Sequence, residues 1–149
     1  MKFLFVISMV VFSGFVYAVN VSEELLDAIA TVESNNNDKA VGDNGKAIGR
    51  YQIWKTYVDE VNRISKIEKL PYHFSYSDRN DADKSRHMVK IYLEFWGRQY
   101  ERNTKKIATQ EVLAKIHNGH TFWKRSIDNK EYFRNIEKYW KKVKRILEG

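Results

Sequence analysis

The sequence predicts a mainly α domain of about five helices, with a small loop or hairpin after the first. A single proline and seven glycines in 149 residues leave few breaks in regular structure and disfavour a turn-rich β protein. Five stretches repeat apolar residues at the three-and-four spacing of a helix face. Between the first two lies SNNNDKAVGDNGKA, a polar run of turn formers. With 43% hydrophobic residues, the chain suits one packed domain rather than a disordered segment.

Residues 1–18, MKFLFVISMVVFSGFVYA, hold one lysine and then an apolar run ending in Val-Tyr-Ala. They read as a secretory signal peptide cleaved after Ala18, leaving a domain over residues 19–149. The alternative is an uncleaved membrane anchor, for which the run is short of the roughly 20 residues of a span. Cleavage removes only Lys2, so the net charge falls from +7 to +6. The absence of cysteine excludes a lipid anchor on that residue and any disulfide. An exported domain without disulfides points to a bacterial or phage source and a secreted or periplasmic place.

The first helix is expected over residues 22–33. Ser22 or Asn20 can cap it, and Glu23 and Glu24 suit its first turn. Leu25, Leu26, Ile29 and Val32 form its apolar stripe. At roughly 100° per residue, Glu33 falls between Ile29 and Leu26, inside that stripe. Asp43-Asn44-Gly45 then marks a turn or small hairpin. A second helix is expected to start near Ile48–Tyr51, with Ile53, Tyr57, Val61 and Ile64 buried. Residues 66–80 read as irregular and include Pro71. The third helix is expected over Asp81–Tyr100, on Met88, Ile91, Tyr92, Phe95 and Trp96. The fourth covers Gln110–His117, with Val112, Leu113 and Ile116 buried and Asn118-Gly119 as its stop. The last covers Lys130–Leu147, with Tyr132, Ile136, Tyr139, Trp140, Val143, Ile146 and Leu147 on one face. Lys138, Lys141, Lys142 and Arg145 lie opposite, either as a solvated outer face or as a weak contact for an anionic membrane surface.

A carboxyl on an apolar stripe loses hydration, which favours its protonated form. Cleaving a glycosidic bond needs such a proton at the leaving oxygen. Glu33 is therefore either a proton donor or a helix-end carboxylate that reaches into water. Asp43 is the candidate second carboxylate, or simply part of a surface turn. His117 and His120 straddle a glycine and have no evident third ligand, so neither a metal nor another cofactor is expected. Phe122, Trp123 and Tyr51 offer flat faces to sugar rings or pack in the core. The basic charge fits a cell-wall polymer or an anionic surface, and the chain carries no nucleic-acid reader motif. A monomer is expected.

The stretch ESNNNDKAVGDNGKAIGRYQI resembles the central signature of the lysozyme-like superfamily, most closely the soluble lytic transglycosylases. Glu33-Ser34, Ala40-Val41, Gly45, Gly49 and Gln52-Ile53 fall on that pattern. Ile116-His117-Asn118-Gly119 is similar to the family's Tyr-Asn-Ala-Gly. The resemblance spans residues 22–119 and implies a lysozyme-like α+β fold. It also implies cleavage of the β-1,4 bond between N-acetylmuramic acid and N-acetylglucosamine in peptidoglycan glycan strands. Glu33 is then the catalytic acid, and Ser34, Gln52 and Asn118 line the cleft around it. Tyr51 and His117 stand where the family usually has Met and Tyr, and are candidate substrate-binding residues. A lytic transglycosylase works with Glu33 alone; a lysozyme-type hydrolase pairs it with Asp43, as some similarity to invertebrate-type lysozymes suggests. A non-catalytic wall-binding or membrane-active protein is the remaining reading.

Overall fold

Helix α1 spans Glu23–Ser34 and begins as its sequence dictates: the Ser22 hydroxyl accepts the Leu25 N–H at 3.2 Å. The computed structural model describes residues 18–149, and the expected signal peptide lies, apart from Ala18, outside them. Leu25, Leu26, Ala28, Ile29 and Ala30 are buried. The helix ends on two left-handed asparagines, Asn35 (φ 55°) and Asn36 (φ 62°), whose N–H groups close onto Thr31 and Ala30 carbonyls. Asparagine tolerates this backbone, so the chain turns away at once beyond Glu33-Ser34.

Strands β1 (Val41–Gly42) and β2 (Ala47–Ile48) pair antiparallel, with Val41 opposite Ile48 and Gly42 opposite Ala47. Their connection is the expected Asp-Asn-Gly turn, left-handed at Asp43, Asn44 and Gly45. The second helix does not start at Ile48–Tyr51. Gly49 (φ 77°) and Gln52 (φ 50°) are left-handed, and Ile48 and Ile53 exchange N–H to carbonyl bonds of 3.2 and 3.0 Å. Gly-Arg-Tyr-Gln is thus a tight turn, and helix α2 begins only at Lys55, running to Ile67. Val58, Val61 and Ile64 form its buried face, with Tyr57 half-buried beside them. The irregular stretch after it is fastened by Asn62, whose side-chain amide bonds the Phe74 carbonyl (2.9 Å) and accepts its N–H (2.8 Å).

Helix α3 (Ala82–Thr104) is capped by the Asp81 carboxylate. It runs one turn past the expected end at Tyr100, because Glu101–Thr104 suit a helix and the first left-handed residue is Lys105. Helix α4 spans Gln110–Gly119, so Asn118-Gly119 is its last turn and not its stop. Gly119 is helical because α5 crosses there: a Cβ would lie 2.4 Å from Ile136 Cδ1. The left-handed role passes to His120 (φ 52°, ψ −121°). Helix α5 (Lys130–Leu147) buries Ile136, Tyr139 and Val143 against α1 and α4. Ile146, expected on that face, is exposed at the edge of the stripe in the last turn. The four basic residues named above face solvent. The described chain is therefore mainly helical with one two-residue hairpin. Among the described residues no helix is long and apolar enough to cross a membrane.

Candidate active site

Glu33 is the penultimate residue of α1, and the early turn at Asn35 leaves it at the mouth of a cleft of about 780 Å³. Its side chain is 18% exposed, half-way between the core stripe and water. Asp43, Tyr51, Gln52, His117 and Asn118 line the same cleft, although up to eighty-five residues separate them in the chain. One wall is the hairpin and the Gly49–Gln52 turn. The other is the end of α4 and the flank of α2.

Ser34 is the exception among the expected site residues. Its hydroxyl donates to the Arg50 carbonyl (2.8 Å) and accepts the Asn37 N–H (3.0 Å). It ties the end of α1 to the Gly-Arg-Tyr-Gln turn, and so fixes where Glu33 stands relative to the opposite wall. Arg50 adds a two-pronged bond to Asp38 in the same loop. Gln52 also holds structure: its amide nitrogen donates to the Gly49 carbonyl (2.9 Å) and its amide packs on Gly42. Tyr51 is 1% exposed, and its hydroxyl accepts from Arg86 (3.3 Å), away from the cleft. It serves as a wall against the His117 ring rather than as a platform for a sugar. Phe122 and Trp123 pack around Tyr100 and do not line the cleft.

The immediate surroundings of Glu33 are a histidine and two tyrosines. His117 Nε2 lies 3.5 Å from Glu33 Oε1, and its Nδ1 lies 3.4 Å from the Tyr57 hydroxyl. Burial, followed by the nearby phenols and Glu33, pushes Tyr57 well above the ordinary phenol range, so it stays a neutral donor. Donation from Tyr57 to Nδ1 leaves the imidazole proton on Nε2, facing the carboxylate. Tyr139 of α5 has a buried hydroxyl with no partner in hydrogen-bond geometry among the described residues. Burial first, and Glu33 second, push it up as well, so its O–H also stays neutral beside the carboxyl group. Both arrangements suit an acid that must be held in one orientation while it exchanges a proton.

Asp43 stands on the opposite wall, at the hairpin tip, where its carboxylate accepts the Trp54 indole N–H at 3.1 Å. His120 and His117 each pair with their own tyrosine: Tyr92 bonds His120 Nδ1, as Tyr57 bonds His117, and the two tyrosines stack at 4.0 Å. Burial holds His120 below the usual histidine range. Its neutral form is thus tied to folding, with stability full above about pH 6.5 and lost as pH falls through the lowered value. A His120→Gln variant should show a smaller drop in thermal midpoint than the parent between about pH 7.5 and pH 5. Equal drops would show that His120 does not report on folding.

Sequence periodicity placed Tyr57, Tyr92 and Tyr139 on buried stripes but gave no sign that their hydroxyls converge. Trp54, Glu60 and Arg63 also line the cleft without any motif to mark them. The only available signal is position: all three lie within ten residues of the Gly-x-x-Gln-Ile segment, Trp54 at the N-cap of α2 and Glu60 and Arg63 in its second and third turns. No family model, curated protein or solved structure matches the chain.

Proposed function

We propose that this protein is an exported enzyme that cuts peptidoglycan glycan strands at the β-1,4 bond between N-acetylmuramic acid and N-acetylglucosamine, as a lytic transglycosylase. The observation that carries this reading is the partly exposed carboxyl of Glu33, set in an open cleft with His117 at 3.5 Å and a neutral phenol beside it. A cleft of about 780 Å³ has room for several sugar units, and its aromatic lining suits their apolar faces. Glu33 donates its proton to the leaving glycosidic oxygen as the bond to the anomeric carbon breaks. The resulting carboxylate, with His117 Nε2–H beside it, then takes the proton of the muramic acid 6-hydroxyl. That oxygen bonds the anomeric carbon and closes a 1,6-anhydro ring. Glu33 regains its proton, and no water is consumed.

A lysozyme-type hydrolase is the second reading, favoured by one observation: Asp43 lines the same cleft. Against it, the carboxylate of Asp43 is engaged by the Trp54 indole. Mass spectrometry of soluble products from purified sacculi separates the two. Products lighter by one water and without a reducing end are expected, with Asp43→Asn releasing them at near the parent rate. Reducing muramic acid ends, or a loss in Asp43→Asn as deep as that of a Glu33 variant, would instead assign hydrolysis. Binding to sacculi without release of any product would leave only a wall-binding role.

A further inference from the structure

We propose that the end of the cleft away from the hairpin is a subsite for the peptide substituent of the glycan strand. Arg63 and His120 take its carboxylate, and Glu60 takes its amine or amide N–H groups. The inference rests on the reading of the cleft as a peptidoglycan site.

Charge is the first argument. Among the described residues that line the cleft, Arg63 is the single Lys or Arg, and Glu33, Asp43 and Glu60 are acidic. Where the muramic acid carboxyl is amide-linked to its peptide, the sugar backbone is neutral and gives a guanidinium nothing to neutralise, whereas the wall peptide carries carboxylates. Arg63 also stands apart from the reacting bond. It lies nine residues beyond Trp54 on α2, about 14 Å along the helix axis. It is oriented before any ligand arrives, with two bonds of 2.7 and 2.6 Å to Glu60 and the Phe95 ring 5.6 Å beneath it. An exposed pair three residues apart on a helix contributes little to stability, so a ligand can divide it at small loss. A guanidinium has five N–H donors, and Glu60 uses two of them.

His120 supplies the second argument. Its backbone (φ 52°, ψ −121°) is one that glycine adopts freely and other residues adopt under strain. The turn itself asks for glycine, yet the position carries an imidazole. Tyr92 fixes the ring through Nδ1, which leaves Nε2–H for a ligand in the neutral form that burial favours. Trp96 meets that ring edge to face at 4.4 Å, and its indole N–H has no partner among the described residues. One uncommitted imidazole N–H and one oriented cation therefore gather at this end, beside the Trp96 ring, which is the complement of a carboxylate.

The test uses the full mature chain carrying Glu33→Gln, so that bound glycan is not cut. Calorimetry compares soluble glycan fragments bearing peptides with fragments of the same length whose muramic lactyl carboxyl is capped as a simple methylamide in place of the peptide. The peptide-bearing fragments should bind about tenfold tighter, and adding Arg63→Ala should erase that advantage. Arg63→Gln serves as a second variant that keeps more of the side chain over Phe95. Fragments of both kinds binding equally, or an advantage that survives both Arg63 variants, would overturn the subsite and leave the glycan reading intact. If neither fragment binds and the parent protein releases nothing from sacculi, the glycan reading itself fails, and this inference with it.

Discussion

Glu33→Gln should reduce release of soluble fragments from sacculi by roughly 10³-fold or more while leaving the protein folded. Glutamine keeps the shape of the side chain and an oxygen for His117 Nε2–H, which stands 3.5 Å away. It cannot supply a proton to a leaving oxygen. The substitution therefore removes the acid and little else. Thermal unfolding and circular dichroism should match the parent, because no buried charge is created and no packed volume is lost. The expected depth of the loss follows from the absence of a substitute. The phenols of Tyr57 and Tyr139 are pushed upward by burial, away from easy proton release. Asp43 is on the far wall, bonded to Trp54. Equal clearing by parent and variant would sink the catalytic reading of the cleft.

The part of this site that could be read in the sequence is the part encoded locally. Glu33 sat at the wrong angle for a solvated acid, and three asparagines announced the turn that uncovers it. Asp43-Asn44-Gly45 gave the hairpin. The boundaries of α1 and α5 came within about a residue because caps and apolar spacing are properties of neighbours in sequence. What periodicity cannot give is the direction of a polar tip at the end of a buried ring. Tyr57, Tyr92 and Tyr139 were correctly placed on apolar stripes, yet their hydroxyls lie near His117, His120 and Glu33, 28 to 106 residues away in the chain. The expected start of α2 erred for a related reason. Ile48 and Ile53 looked like the beginning of a helical face. They are instead opposite ends of a turn that closes only because Gly49 and Gln52 are left-handed. Ser34 carried a motif but not the role the motif suggested: it orients the wall rather than lining it.

That turn yields the largest stability effect expected here. Gly49→Ala should destabilise the protein by on the order of 4 kcal/mol, a large fraction of the 5–15 typical of a domain. Two causes add. The backbone at φ 77° costs an alanine about 1–2 kcal/mol. The new Cβ would also sit 1.9 Å from the Arg79 carbonyl oxygen and 2.9 Å from its carbon. Neither atom is the free end of a flexible side chain. Arg79 is itself fixed, with its guanidinium donating to the carbonyls of Tyr76 (2.7 Å), Ile53 (3.1 Å) and Lys46 (3.3 Å). Relieving the clash therefore means moving the hairpin, the turn and the start of α2 together. Gly45→Ala separates the two causes, because Gly45 has a similar φ of 87° but nothing within 4 Å of a Cβ. Urea unfolding should place Gly45→Ala about 1 kcal/mol below the parent and Gly49→Ala several below that. Similar midpoints for both variants would mean that the Arg79 contact yields easily. The same comparison reaches the cleft. Gln52 hangs on the Gly49 carbonyl and Ser34 on that of Arg50, so loosening this turn detaches the cleft wall from the end of α1 that carries Glu33. Any Gly49→Ala protein that still folds should lose activity more steeply than it loses helix content, whereas Gly45→Ala should lose neither beyond its small destabilisation.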